Sequence, residues 1–315
     1  MIKNISILIV MFVVVGCGGS AEEGRGESDK PHVRNDSAYK LEIDLEGSLQ
    51  NPAFSPDGEM IVFSRFQNGY NKEPADIYTF HLKTKSVTKI VGNGYANINL
   101  PGSVWNRDKI VYSSSKGEHD EIYMIDQNGQ NEIQITERDT FMAYEPSFSP
   151  DGSYVVFESH PLEVEGEGVI MKYRVNGEME YIALTPKDED ARQPNWSPDG
   201  SKILYQKLVD GQWDIWTMNR DGSNSLKVTT GSDNKTDASF SHNGKKILYS
   251  SDANLEYANI FELNLNSGKS RRLTYYESGY DGAVSLSPDS SKIVFESCYG
   301  EPDESEGTAI WVMEQ

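Results

Sequence analysis

The sequence predicts an all-β chain folded as a six-bladed β-propeller, its last blade closed by a strand from the N-terminal side. Three observations carry this reading. One short motif, clearest as Trp196-Ser197-Pro198-Asp199-Gly200, recurs six times. Aligned on the residue before the Pro-Asp pair, the copies stand at Ser55, Asn106, Ser149, Ser197, Ser241 and Ser287, 43 to 51 residues apart. A period of roughly 40–50 residues is that of a four-stranded propeller blade. Finally, the sixth unit stops one strand short at Gln315, while a spare strand pattern, "YKLEIDLEG" from Tyr39, stands ahead of the first.

The chain opens with "MIKNISILIVMFVVVGCGGS". Lys3 supplies a charge, and Ile5 to Val15 is apolar apart from Ser6. A helix needs about 20 apolar residues to span a bilayer, so this run fits the core of a secretory signal peptide better. The small residues before Cys17, in Val14-Val15-Gly16-Cys17, resemble the lipobox of bacterial lipoproteins. That resemblance implies that residues 1–16 are removed and that Cys17 is lipidated, an anchor that two or more acyl chains make stable. Gly18, where Asp would imply retention at the inner membrane, points to the outer membrane of a Gram-negative cell. Residues 17–37 are rich in Gly, Ser and charge and poor in apolar side chains, which predicts a flexible tether ahead of a propeller spanning 38–315.

Within each unit the first strand is short and ends on a large apolar residue: Phe54, Trp105, Phe148, Trp196, Phe240 or Leu286. The Pro-Asp-Gly turn follows, in which Pro presets φ, Asp bonds nearby backbone and Gly accepts a positive φ. A second strand is β-branched and aromatic, as in "KILYQ" and "KIVFES", and a third recurs as "DIYTFHL", "DIWTMNR" and "AIWVMEQ". Asn128-Gly129 and Asp221-Gly222 then mark tight hairpins, and the fourth strand ends in pairs such as Leu184-Thr185 and Leu273-Thr274. A catalytic serine is needed once, whereas Ser-Pro-Asp-Gly recurs at one structural place. Ser197 therefore reads as a hydrogen-bonding strand end and Asp199 as a turn former. The strand at Tyr39–Gly47 occupies the place of a fourth strand, and Tyr39 to Gln315 shared among six blades gives about 46 residues each.

This consensus resembles the TolB-type, WD-like propeller repeat over essentially the whole 38–315 region, best in units one, three and four. Unit two has Arg107-Asp108, unit five His242-Asn243-Gly244, and unit six Ser290 in place of the glycine. TolB itself carries an α/β domain ahead of its propeller, which this sequence does not show, so the resemblance does not imply the role of TolB. Other proteins with this repeat include regulatory domains of prolyl peptidases, and oligogalacturonate lyases with a histidine-rich, metal-holding centre.

The strand order places the tight turns on one face and long irregular loops on the other, and function is expected on the loops. The loop face is acidic and aromatic, with Asp120, Asp188 and Asp190 beside Tyr70, Tyr144 and Tyr280. The residues entering each first strand should ring the channel mouth: Asn51, Gly102, Glu145, Gln193 with Arg192, Asp237 and Asp281. Crowded carboxylates of this kind favour a cation or a basic side chain. The net charge of −20 argues against nucleic acid. There is no zinc spacing, no nucleophile elbow and no cofactor motif, so no catalytic residue, metal ligand or cofactor is assigned. Cys298 is the only cysteine besides Cys17 and reads as a packing residue. The sequence thus predicts a non-catalytic, monomeric, lipid-anchored envelope protein whose propeller binds a protein or peptide. The alternative is a carbohydrate-active propeller enzyme, of polyuronate lyase or glycosidase type, because paired carboxylates abound.

Overall fold

The computed structural model describes residues 34–98, 104–162, 167–175, 177, 180–253, 257–276, 279–299 and 307–315. The expected signal peptide and Cys17 lie outside these residues. The described residues are all strand, turn and irregular backbone, in six antiparallel sheets. Blade 1 is Ser48–Phe54, Met60–Phe66, Ala75–His81 and Val87–Val91, and blades 3, 4 and 5 repeat the order from Phe141–Phe148, Ala191–Trp196 and Lys235–Phe240. In blade 2 the first strand is split into Ala96–Asn97 and Trp105–Asn106, both on Lys109–Ser114. Gly102, expected at the mouth, falls outside the described residues.

Blade 6 consists of Asp281–Leu286, Lys292–Ser297 and Ala309–Glu314, closed by Tyr39–Lys40. Tyr39 stands opposite Val312 and Lys40 opposite Trp311, and the Leu41 N–H donates to Ile310 O at 2.9 Å. The closing strand is therefore shorter than the nine residues the sequence pattern predicts. Past Leu41 the backbone tightens, with Leu45 N–H donating to Ile43 O. Leu41, Ile43 and Leu45 turn inward onto Leu49, Phe63 and Ile310, so burial between blades 6 and 1 replaces ladder bonds.

The recurrent turn is explained by its contacts. Ser149 Oγ donates to Asp151 Oδ1 at 2.6 Å, Asp151 Oδ1 accepts from Ser153 N–H, and Ser149 Oγ accepts from Tyr154 N–H. The same set forms around Ser55, Ser197 and Ser287. Each glycine also faces the preceding blade: a Cβ on Gly200 (φ +68°) would lie 3.5 Å from Pro150, and one on Gly58 (φ +74°) 3.3 Å from Pro288. The turns thus touch around the ring as well as closing hairpins. The Leu-Thr ending serves the blade too, since Thr185, Thr229 and Thr274 Oγ1 accept from the N–H groups of Ile170, Ile215 and Ile260.

The reading of residues 17–37 as tether needs revision at its end. The Arg34 side chain is buried, and its guanidinium donates to Asp281 Oδ1 at 3.0 Å, Asp281 Oδ2 at 2.5 Å, Ser297 Oγ at 3.2 Å and Asp36 Oδ1 at 2.9 Å. Four rings surround it, with centroids 4.8 Å (Trp311), 5.2 Å (Phe295), 5.7 Å (Tyr276) and 5.7 Å (Tyr299) from Cζ. Asp36 Oδ2 accepts from Tyr275 N–H. Residues 34–37 therefore belong to the body of the propeller.

Candidate functional site at the channel mouth

Five first strands carry a register shift at one place, between Gln50 and Ala53, Tyr144 and Ser147, Arg192 and Asn195, Thr236 and Ser239, and Gly282 and Ser285. At each shift one non-glycine residue takes a left-handed conformation: Asn51 (φ 53°), Glu145 (52°), Gln193 (53°), Asp237 (52°) and Ala283 (49°). Such a bulge re-aims a side chain at the cost of local strain, here five times around one ring. Asn51, Glu145, Gln193 and Asp237 are thus equivalent positions at the bulge.

Asp281 is not one of them. It stands two residues ahead of the bulge of blade 6, fully buried, and its carboxylate is paired with Arg34. Burial pushes the Asp281 carboxyl up, and Arg34 with Ser297 pulls it back without fully offsetting that. Arg192, one residue ahead of the bulge, lies close enough to Glu158 and Glu145 for their charges to act on it. Its guanidinium grips Asp190 through two bonds of 2.7 and 2.9 Å and lies 5.2 Å over Trp213.

Gln193 holds the ring together. Its Nε2 donates to Asp237 Oδ1 at 3.0 Å and to Glu145 Oε1 at 3.4 Å, while its Oε1 accepts from Asp237 N–H at 2.8 Å. The second strands contribute carboxyls that the sequence reading missed. Glu158 Oε2 accepts from Gln193 N–H at 3.0 Å, and Glu296 Oε2 accepts from Asn51 N–H at 2.8 Å. Tyr280 OH donates to Asp237 Oδ2 at 2.9 Å, Tyr70 OH donates to Glu296 Oε1, and the His160 ring bonds Glu158.

Glu145, Glu158, Asp237 and Glu296 are all buried, and carboxylates this close cannot all ionise together. Burial pushes Glu296 up to about 8, with the nearby Asp237 charge adding to it against the Asn51 and Tyr70 bonds. Glu145 is driven well upward by burial and by the Glu158 charge. Burial acts upward on Glu158 as well, but His160, and then Glu145 and Arg192, hold it below its ordinary value. Glu296, pushed up to about 8, therefore keeps its proton at neutral pH, and within the Glu145–Glu158 pair the proton is favoured on Glu145. Glu145 and Glu158 are joined by a side-chain hydrogen bond that the proton on Glu145 completes, whereas both amide atoms of Gln206 lack a hydrogen-bond partner. Gln206 occupies the second-strand place that Glu158 and Glu296 hold in blades 3 and 6. A buried polar atom left without a partner costs about 1–3 kcal/mol, which a ligand's polar group placed there would recover. Among the described residues no group of three His, Cys, Asp or Glu side chains is placed to hold a metal ion.

Comparisons with known proteins agree on the architecture. A family model described as TolB beta propeller domain matches residues 41–207 and 177–304. A Tol-Pal system protein TolB from Francisella tularensis subsp. holarctica is 28% identical over 203 residues, 61% of this chain and 45% of that protein. The chain spans less than half the length of that relative. Among solved structures, a putative TolB from Agrobacterium tumefaciens superposes with a TM-score of 0.63 at 19% identity, over 85% of this chain and 90% of that one. An oligogalacturonate lyase in complex with manganese superposes with a TM-score of 0.58 at 15% identity, over 88% of this chain and 89% of that one. At these identities the structural likeness speaks to the fold alone.

Proposed function

The chain belongs to the TolB β-propeller domain family, and from that premise we propose that it is a non-catalytic binding scaffold of the bacterial cell envelope. In this reading Cys17 carries the lipid anchor, the outer membrane holds it, and the monomeric propeller receives a protein or peptide at its loop-face mouth. The partner presents a basic group, a lysine or arginine side chain or an amino terminus. One observation carries the reading: four buried carboxyls meet at the mouth, and beside them the Gln206 amide has no partner. An ammonium or guanidinium supplies the positive charge that crowded carboxyls favour and a donor for Gln206 Oε1. The relatives named for the Tol-Pal system support an envelope partner.

A polyuronate lyase is disfavoured on charge, since its polyanionic substrate would have to approach this acidic ring. The test is a pulldown from detergent-solubilised membranes, run beside a glycan-cleavage screen. The Glu145→Gln/Asp237→Asn protein, which loses the Asp237 charge and the Glu145 carboxyl, should lose its partner while melting like the parent. Affinity for that partner should rise as pH increases through about 8, where Glu296 gives up its proton. Turnover of a glycan, or full retention of the partner by the neutralised protein, would overturn the proposal.

A further inference from the structure

A second cavity lies at the opposite end of the channel, on the tight-turn face. It encloses about 320 Å³ and draws lining residues from all six blades. Its wall is the set of first-strand ends, Phe54, Trp105, Phe148, Trp196, Phe240 and Leu286. Cavities of roughly 300 Å³ with aromatic walls and a few polar groups are of the size that holds a small ligand.

Its polar groups are one-sided. The lining contains Arg107, His242, asparagines and serines but no Asp or Glu. The Arg107 side chain is exposed and meets no acceptor among the described residues. Trp196 is 1% exposed, and its indole N–H has no hydrogen-bond partner. Trp216 and Trp311 likewise have an indole N–H without a partner, while the Trp105 N–H donates to Arg107 O at 3.2 Å, so Trp196 serves the cavity as wall. The neighbouring turn aspartates are engaged by their own serines and backbone, as Asp151 and Asp199 show.

The geometry points to a binding site for a small monocarboxylic acid with an apolar, ring-sized body: the aromatic wall takes the body, and the unpaired Arg107 guanidinium supplies donors for its oxygens. This site is separate from the mouth and shares no residue with it.

The probe is 3-phenylpropionate, with 3-phenylpropanol and 3-phenylpropylamine as neutral and cationic controls. The readout is the indole N–H region of a ¹⁵N NMR spectrum, which holds the signals of five tryptophans. The Trp196→Phe protein identifies the relevant signal. A ligand of this size should bind with a dissociation constant on the order of millimolar. The acid should shift the Trp196 signal saturably, the alcohol more weakly, and the amine not at all. Arg107→Gln should weaken the acid roughly threefold, as for an exposed ion pair, and leave the alcohol unchanged. Glu145→Gln should bind the acid like the parent, which keeps this test independent of the mouth. The proposal is overturned if the Trp196 signal does not move, if acid and amine act alike, or if Arg107→Gln leaves the acid's affinity intact.

Discussion

Replacing Arg34 with methionine tests whether the N-terminal segment belongs to the fold. Methionine keeps the apolar stem against Trp311 and Phe295 and removes the charge. Asp281 is then left buried without its cation. Breaking one side of a buried ion pair costs about 3–5 kcal/mol, mostly because the surviving charge stays out of water. Loss of the guanidinium from four aromatic faces adds to this. For a domain of this size, 1 kcal/mol moves the melting temperature by about 2–4 °C, so a drop of roughly 6–20 °C is expected. The sign of the pH dependence follows from Asp281. Its folded carboxyl already sits above the ordinary value because of burial, and without Arg34 it rises further. A carboxyl with a raised folded pKa destabilises once pH passes the unfolded value, and lowering the pH relieves that. The deficit of Arg34→Met should therefore shrink as pH falls from 7 toward about 4, and Arg34→Met/Asp281→Asn should recover part of it. Calorimetric melts of the three proteins across that range decide the matter. If Arg34→Met melts within about 0.5 kcal/mol of the parent, as a neutral surface change would, the docked segment contributes nothing and the reasoning fails.

Other perturbations bear on the rest of the molecule. Deleting residues 38–46 should expose the edge of blade 6 and the apolar faces that Leu41, Ile43 and Leu45 cover, giving aggregation or a lower melting temperature in thermal scans. The turn aspartates titrate low, Asp151 and Asp289 to about 2, held down chiefly by the Ser149 bond in the first and by the Ser291 N–H in the second. Depressed carboxyls give stability that is complete above the unfolded value near 3.8 and disappears as pH falls through about 2. A Ser149→Ala protein should accordingly lose about 0.5–1.5 kcal/mol at pH 7 and show a smaller further loss in acid denaturation. Cys17→Ser should leave the membrane fraction or remain unprocessed, and a processed mutant that stays membrane-bound in high salt would refute lipidation.

The repeat is what made this fold readable. Six copies of one turn fix strand order and blade number, and the bulge residues Asn51, Glu145, Gln193 and Asp237 follow because each copy enters its first strand at the same place. Asp281 misled because blade 6 carries Ala283 at the bulge, so a nearby carboxylate took its place in the reading. Glu158 and Glu296 were legible but overlooked. At their place in the second strand the other blades carry Ser64, Ser113, Gln206 and Ser250, and "FES" reads locally as an ordinary strand end. Comparing the copies position by position would have exposed the two glutamates. Arg34 gives no such signal, being one basic residue in a polar stretch whose partner lies 247 residues away. Only the closed ring brings them together.

That arrangement also decides how the domain would respond to tension. A pull on the N-terminal end reaches Arg34 before it reaches Tyr39. The closing ladder has only two residue pairs, and its geometry would let them peel apart one after the other. The guanidinium, gripped by Asp281 and Asp36 and walled by four rings, must be withdrawn first. In a tethered protein Arg34 therefore acts as a strain relief, keeping load on the tether away from the joint that closes the ring.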